Sequence, residues 1–144
     1  MIIVAATFTG HFHVKILPTG TSLNALGYIE FLKRMIRKFS RMTHDPIEWN
    51  QHLLMHDNAR PHVAMAVRDF LLEEGTSLLH QPPYSPDVNI CDRFLFRNLE
   101  HARSGVEFHS DDDLLSFVTN HFKTYSQEML LQEYQKLKAD ILFR

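Results

Sequence analysis

Two carboxylates stand where a sheet-based site would use them. Asp57 closes the stretch His52-Leu-Leu-Met-His-Asp57, which reads as a short buried strand. The carboxyl ends of strands are where α/β sheets receive ligands. Asp92 opens a helix behind the stiff segment Pro82-Pro83-Tyr84-Ser85-Pro86-Asp87. Carboxylates converging from such positions suit a hard divalent cation such as Mg²⁺, which takes oxygen ligands and retains waters. On residue type alone, a strand-end Asp more often forms a turn or caps a helix.

Other chemistry is weaker. Ten histidines invite a zinc reading, with His52 and His56 four apart and His62 following. On a strand, positions i and i+4 lie about 13 Å apart, too far for one ion with ligand bonds of about 2.0–2.1 Å. His11 and His13 share a strand face and read as surface residues. Ser85 lacks the Gly-x-Ser-x-Gly elbow of a hydrolase nucleophile. Cys91, the single cysteine, reads as packing; it excludes an internal disulfide and fits a reducing compartment. Five of the 15 basic residues, Lys33, Arg34, Arg37, Lys38 and Arg41, fall within nine positions. They form either a solvated helix face or one that contacts phosphates.

The elements that must hold these residues can be read in order. Residues 2–8 are apolar and β-branched, Thr9-Gly10 is a turn signal, and residues 11–17 alternate with Phe12, Val14 and Ile16 on one face, so a hairpin is expected. Thr21 or Ser22 would cap a helix reaching Met42, with Ala25, Ile29, Leu32, Ile36 and Phe39 inward. A loop follows over residues 43–50. Residues 52–81 read β-α-β. Their helix starts at Pro61, turns Val63, Ala66, Val67, Phe70 and Leu71 inward, and stops at Gly75. Parallel strand pairing is therefore expected. A helix from Ile90 to about Arg103 carries Phe94, Leu95 and Leu99. Ser110 and Asp113 read as a capping box for a helix bearing Leu114, Leu115, Val118 and Phe122. Ser126 opens a last helix with Met129, Leu130, Tyr134, Leu137 and Ile141.

Composition agrees with one ordinary domain. The chain has 144 residues, 44% apolar and 22% charged, which excludes a disordered chain. No apolar run reaches 18 residues, so no membrane span is expected. The net charge of −2 does not announce a nucleic-acid binder.

Taken together, His56-Asp57-Asn58-Ala59-Arg60-Pro61-His62, then Pro82-Pro83-Tyr84-Ser85-Pro86-Asp87, then Cys91-Asp92-Arg93-Phe94-Leu95-Phe96, resemble the catalytic domain of mariner-type DNA transposases. That family has a ribonuclease-H-like fold and three metal-binding Asp, the second and third separated by 34 residues. The same number separates Asp57 from Asp92. The resemblance covers nearly the whole chain, including Gly105-Val-Glu-Phe108 and the helix after it. It implies that Asp57 and Asp92 are the second and third catalytic carboxylates. Asp87 would shape its loop or cap the next helix. The cofactor would be Mg²⁺ or Mn²⁺ and the partner DNA, as transposon ends. The resemblance also allows a homodimer and implies a nuclear location. Lys33, Arg34, Arg37, Lys38 and Arg41 are the DNA-contact candidates.

The departures shape the expectation. No Asp precedes Asp45, so the family's first Asp has no counterpart, and Asp45 sits in the wrong place. The family's helix-turn-helix region is absent, Ile90 replaces a usual Pro, and the chain ends early. The expected fold is an α/β, ribonuclease-H-like mixed sheet flanked by helices, truncated on its first-strand side. Residues 1–144 would form a single incomplete catalytic domain. In that fold the absent strand would lie between the hairpin and the strand ending at Asp57. The expected function is a transposase-derived fragment, inactive alone for want of the first Asp, from a family that cleaves and joins DNA. The alternative is a domesticated nucleic-acid- or protein-binding module without catalysis.

Overall fold

β1 (Ile2–Ala6) and β2 (Phe12–Ile16) pair antiparallel, with Ile2 opposite Ile16, Val4 opposite Val14 and Ala6 opposite Phe12. Their turn closes through Thr7 N–H to His11 C=O (2.9 Å) and Gly10 N–H to Thr7 C=O (3.2 Å). Gly10 sits at φ 95°, a conformation that suits glycine. In this computed structural model, residues 1–42 and 53–142 are described. The loop expected at 43–50, with Asp45, and His52 at the head of the expected strand lie outside the described residues.

The chain forms two compact units, Met1–Thr21 with Pro86–Arg144, and Ser22–Ser85. In the first, one face of the hairpin (Ile2, Val4, Ala6, Phe12 and Val14) covers a cluster of Leu95, Leu99, Val118, Phe122 and Leu130. Alternation thus did what it implied: one strand face went inward. His11 and His13 are half-buried, not surface residues as expected. Helices α4 (Phe96–Arg103), α5 (Asp111–Phe122) and α6 (Gln127–Leu142), with Leu95 just before α4, supply the rest of the core. The helix expected from Ile90 begins instead as a π-helical turn, Cys91–Leu95, after a 3-10 turn at Pro86–Val88. The Asn89 side chain accepts the Cys91 N–H at 2.9 Å and starts this helix. Cys91 is half-buried and packs against the cluster. The Ser110 cap forms as expected, its Oγ accepting the Asp113 N–H at 3.1 Å. Met129 and Ile141 are exposed, contrary to the expected stripe; α6 buries only Leu130 and Leu137.

In the second unit, α1 (Ala25–Met42) is capped by Asn24, whose Oδ1 accepts the Gly27 N–H at 2.7 Å; Thr21 instead donates to Pro18 C=O. Its buried side chains are Tyr28, Phe31, Leu32, Met35 and Phe39, a face rotated from the expected one so that Ile29 and Ile36 are only half-buried. The β-α-β reading holds: β3 (Leu53–Leu54) and β4 (Ser77–Leu78) pair parallel, although each has only two residues. The intervening helix is broken. α2 (Arg60–Val63) and α3 (Met65–Glu73) meet at Ala64, which is extended at φ −59°, ψ 146°. The break turns Ala66 outward and leaves Val67, Phe70 and Leu71 buried. No residue type at Ala64 accounts for it. Gly75 ends α3 at φ 70°, with Thr76 N–H reaching Leu71 C=O and Gly75 N–H reaching Leu72 C=O.

The class is α/β, as expected, and among the described residues the sheet is present as one antiparallel and one parallel two-stranded ladder. No described helix is long and apolar enough to cross a membrane.

Candidate functional site

Asp57 lies three residues beyond β3, in chain with no regular structure, rather than at the end of a six-residue strand. The reason is local: its carboxylate folds back on the backbone two residues ahead. Asp57 Oδ1 accepts the Ala59 N–H at 3.0 Å, the turn-forming role of a short acidic side chain. The same oxygen lies 2.6 Å from His62 Nδ1. That nitrogen is buried, and the contact does not meet hydrogen-bonding angles. Both contacts fall on Oδ1, and the Asp57 side chain is 46% exposed. The second carboxylate oxygen therefore keeps its acceptor capacity next to solvent.

His62 is held in turn by rings. Its centroid is 4.3 Å from that of Tyr28 and 5.1 Å, nearly parallel, from that of His56. The Tyr28 hydroxyl pairs with His56 Nδ1 at 2.8 Å. Tyr28 is buried, so the hydroxyl needs that partner. Burial, and then the neighbouring His62, lower the His56 pKa to about 4; His80 adds to this and the Asp57 carboxylate opposes it. His56 is therefore a neutral ring at pH 7. A cavity of about 60 Å³ adjoins the group, lined among others by His56, Asn58, His62, Arg68 and Gln81. Asn58 Nδ2 donates to Gln81 C=O at 3.1 Å, tying the segment after Asp57 to the one after β4.

Asp92 occupies the first turn of the π-helical stretch in the other unit and is exposed. Beside it, Arg93 pairs with Asp140 at 2.5 Å and reaches Asp87 C=O at 3.4 Å, which fixes this turn to α6. Among the described residues, no three His, Cys, Asp or Glu side chains form a group that could hold a metal ion.

Lys33, Arg34, Arg37, Lys38 and Arg41 are all exposed on α1. At about 100° per residue they share an arc about 140° wide, opposite the buried arc. The Lys33 ammonium stands 6.0 Å from the Phe70 ring centre. Sequence reasoning named His62 only in the zinc reading and within the shared motif, not as a partner of Asp57, and it missed Tyr28. His62 carried one signal, its place in the helical turn that Pro61 starts just after Asp57; Tyr28 carried none, because only folding brings α1 to it.

No protein-family profile matches the chain. Over 113 residues, 78% of the chain, it is 31% identical to the human histone-lysine N-methyltransferase SETMAR. Over 131 residues, 90% of the chain, it is 28% identical to the Mariner Mos1 transposase of Drosophila mauritiana. It spans 16% and 38% of the lengths of these two curated relatives. The solved catalytic domain of Mos1 transposase with raltegravir and Mg superposes on 94% of the chain at a TM-score of 0.83, with 28% identity and 68% of that domain covered. The chain is related to the catalytic domain of mariner-type transposases. A Mos1 paired-end complex with the left transposon end matches equally well, at a TM-score of 0.83 and 27% identity, with 94% of the chain and 39% of Mos1 covered. The mariner-type relatives are thus solved with Mg, with Mn and with transposon ends, which makes divalent metal and DNA the ligands of that family.

Proposed function

We propose that this chain is a transposase-derived domain in which Asp57 and Asp92 bind Mg²⁺ or Mn²⁺ and the basic face of α1 meets DNA phosphates in the nucleus. The observation that carries the reading is the Asp57 carboxylate: one oxygen is held by the Ala59 N–H and His62, and the side chain remains open to solvent. A carboxylate oriented in this way is suited to a hard cation, whose ligands must be oxygens held at short range. When bound, such a metal polarises a phosphoryl oxygen and makes bound water a better nucleophile.

The chain's own residues do the rest. The Ala59 N–H and His62 set the Asp57 orientation. Tyr28 and neutral His56 hold His62 in its stack. The Asn89 cap and the Arg93–Asp140 pair fix the turn that bears Asp92. Lys33, Arg34, Arg37, Lys38 and Arg41 supply a sequence-independent attraction for the DNA backbone, which positions but does not specify. A second reading, a binding module without chemistry, draws on the same exposed arc of cations. Nuclease assays separate the two.

Thermal melting with and without millimolar Mn²⁺, on the full chain and on Asp57→Asn and Asp92→Asn, tests the metal reading. The wild type gains melting temperature with metal, because a ligand stabilises the state that binds it. Either substitution removes that gain. A wild type indifferent to Mn²⁺ overturns the metal site and leaves the binding module. Reversing two of the α1 cations weakens DNA binding across all sequences and flattens its salt slope; unchanged binding reduces that face to a solvated one.

A further inference from the structure

Tyr84 is the one non-glycine among the described residues with a positive φ, 55°. Its exposure, 103%, is that of a ring with nothing over it. Both features are unfavourable for a bulky side chain, and Gly or Asn would satisfy the same backbone with less strain. The surroundings force the conformation. Pro82, Pro83 and Pro86 restrict their own φ angles on either side. The buried Gln81 side chain donates from Nε2 to Ser85 C=O at 3.1 Å. Gln81 C=O accepts from Asn58, and Ser85 Oγ donates to Pro83 C=O at 3.1 Å. Strain that is over-determined in this way marks a position whose side chain is being presented to something.

We propose that Tyr84 is a stacking platform for an unpaired DNA base, an inference that rests on the DNA-binding reading above. An aromatic ring standing clear of the surface on a fixed backbone offers a flat face, and every base has a matching π-face. The backbone that carries the ring is already fixed, so stacking has only the two side-chain torsions left to order. The cations of α1, which belong to the same unit, supply a backbone attraction of the kind that accompanies such platforms in single-strand binding. Bases inside a duplex have their faces covered, so the platform selects one that has been unstacked or lies on a single-stranded end.

The test uses the full chain and an oligonucleotide duplex with a single-stranded tail carrying 2-aminopurine. Binding of wild type quenches the probe by stacking. Tyr84→Gly and Tyr84→Asn both accept the left-handed backbone, so the loop persists and melting temperature stays equal or rises. Both lose the quenching and bind the tailed DNA about tenfold more weakly, with the salt slope unchanged. Tyr84→Trp keeps both. Charge reversal on α1 does the opposite, changing the salt slope while leaving the quenching of the bound complex. If wild type binds the tail and the Gly variant binds it equally with the same quenching, the platform is overturned, the DNA reading survives, and the ring is left for a protein partner. If wild type fails to bind DNA at low salt, both fall.

Discussion

The two units bury different kinds of side chain. The unit of Met1–Thr21 with Pro86–Arg144 closes on Leu95, Leu99, Val118, Phe122 and Leu130, with the hairpin laid over them. Its buried polar residue, Asn89, starts a helix. The unit of Ser22–Ser85 also has an apolar floor, in Leu32, Phe39, Val67 and Leu71, but stacks two imidazoles against the buried ring of Tyr28 and places a carboxylate beside them. The first is built for packing, while the second gives up apolar contact to hold polar groups in fixed orientations. Polar groups so placed stabilise only when every partner is present. The contrast predicts how each unit fails.

The largest effect belongs to the packed unit. Phe122 is 1% exposed and stacks on Phe12 with centroids 4.8 Å apart. Phe122→Ala removes a ring from the middle of a closed cluster and leaves a cavity that a hairpin and three helices cannot all collapse to fill. A loss of about 3–5 kcal/mol is expected, read as a shift in urea midpoint. A loss under about 1 kcal/mol would show that this core is loosely packed and the contrast false.

Acid should find the polar unit. His56 has its pKa lowered to about 4 by burial and by His62, whereas in the unfolded chain it is near the ordinary value of about 6.5. Between those values the unfolded chain takes up a proton that the folded chain refuses. Stability is therefore full above about pH 6.5 and declines as pH falls toward 4. In chelator-treated protein the decline amounts to about 1–2 kcal/mol, after discounting for solvent that reaches the ring. His56→Asn should flatten the part of the curve between pH 6.5 and 5, above the carboxylate range. A curve that keeps its slope in the variant would assign the acid sensitivity elsewhere.

The Tyr28 hydroxyl is a smaller lever in the same unit. Tyr28→Phe keeps the ring and its contacts but leaves His56 Nδ1 without its 2.8 Å partner. The expected loss is about 1 kcal/mol. The change should also raise amide exchange around His62 without touching the hairpin. Equal exchange in both units would show that the stack does not hold the segment.

The features that sequence showed plainly, and those it concealed, divide along a similar line. The hairpin, the Ser110 cap, the stop at Gly75 and the parallel pairing of β3 with β4 follow from alternation, capping chemistry and glycine, all local causes. The buried face of α1 did not follow. Ala25, Ile29, Leu32, Ile36 and Phe39 lie at helical spacing, and so do Tyr28, Phe31, Leu32, Met35 and Phe39. Periodicity admits either stripe, and the elements packed against α1 choose between them. Asp57 and Asp92 stood out through their flanking motifs. The contact of His62 with Asp57 required the turn at Ala59 and the short helix that ends at Ala64, and no residue type announces that break.

The smallest expected effects concern helix starts, where the two units differ again. In the packed unit α5 begins on Ser110, whose Oγ accepts the Asp113 N–H, with Asp111, Asp112 and Asp113 favourably placed in its first turn. In the other, α3 begins on Ala64, which has no side chain able to cap it. Ser110→Ala should therefore cost about 0.5–1 kcal/mol, and Ser110→Gly only a few tenths, roughly, because a bare backbone lets water reach the orphan N–H groups. The reverse change, Ala64→Ser, should stabilise by a similar amount. Ala64 already has the extended backbone of a capping residue, and its C=O accepts the Val67 and Arg68 N–H groups at 3.1 Å. Only the side-chain oxygen is lacking. A gain in melting temperature for Ala64→Ser would show that the break before α3 is a helix start left uncapped. A loss would show instead that the half-buried methyl of Ala64 is packing against a neighbour that the hydroxyl disturbs, and that the second unit keeps its apolar contacts even at a helix end.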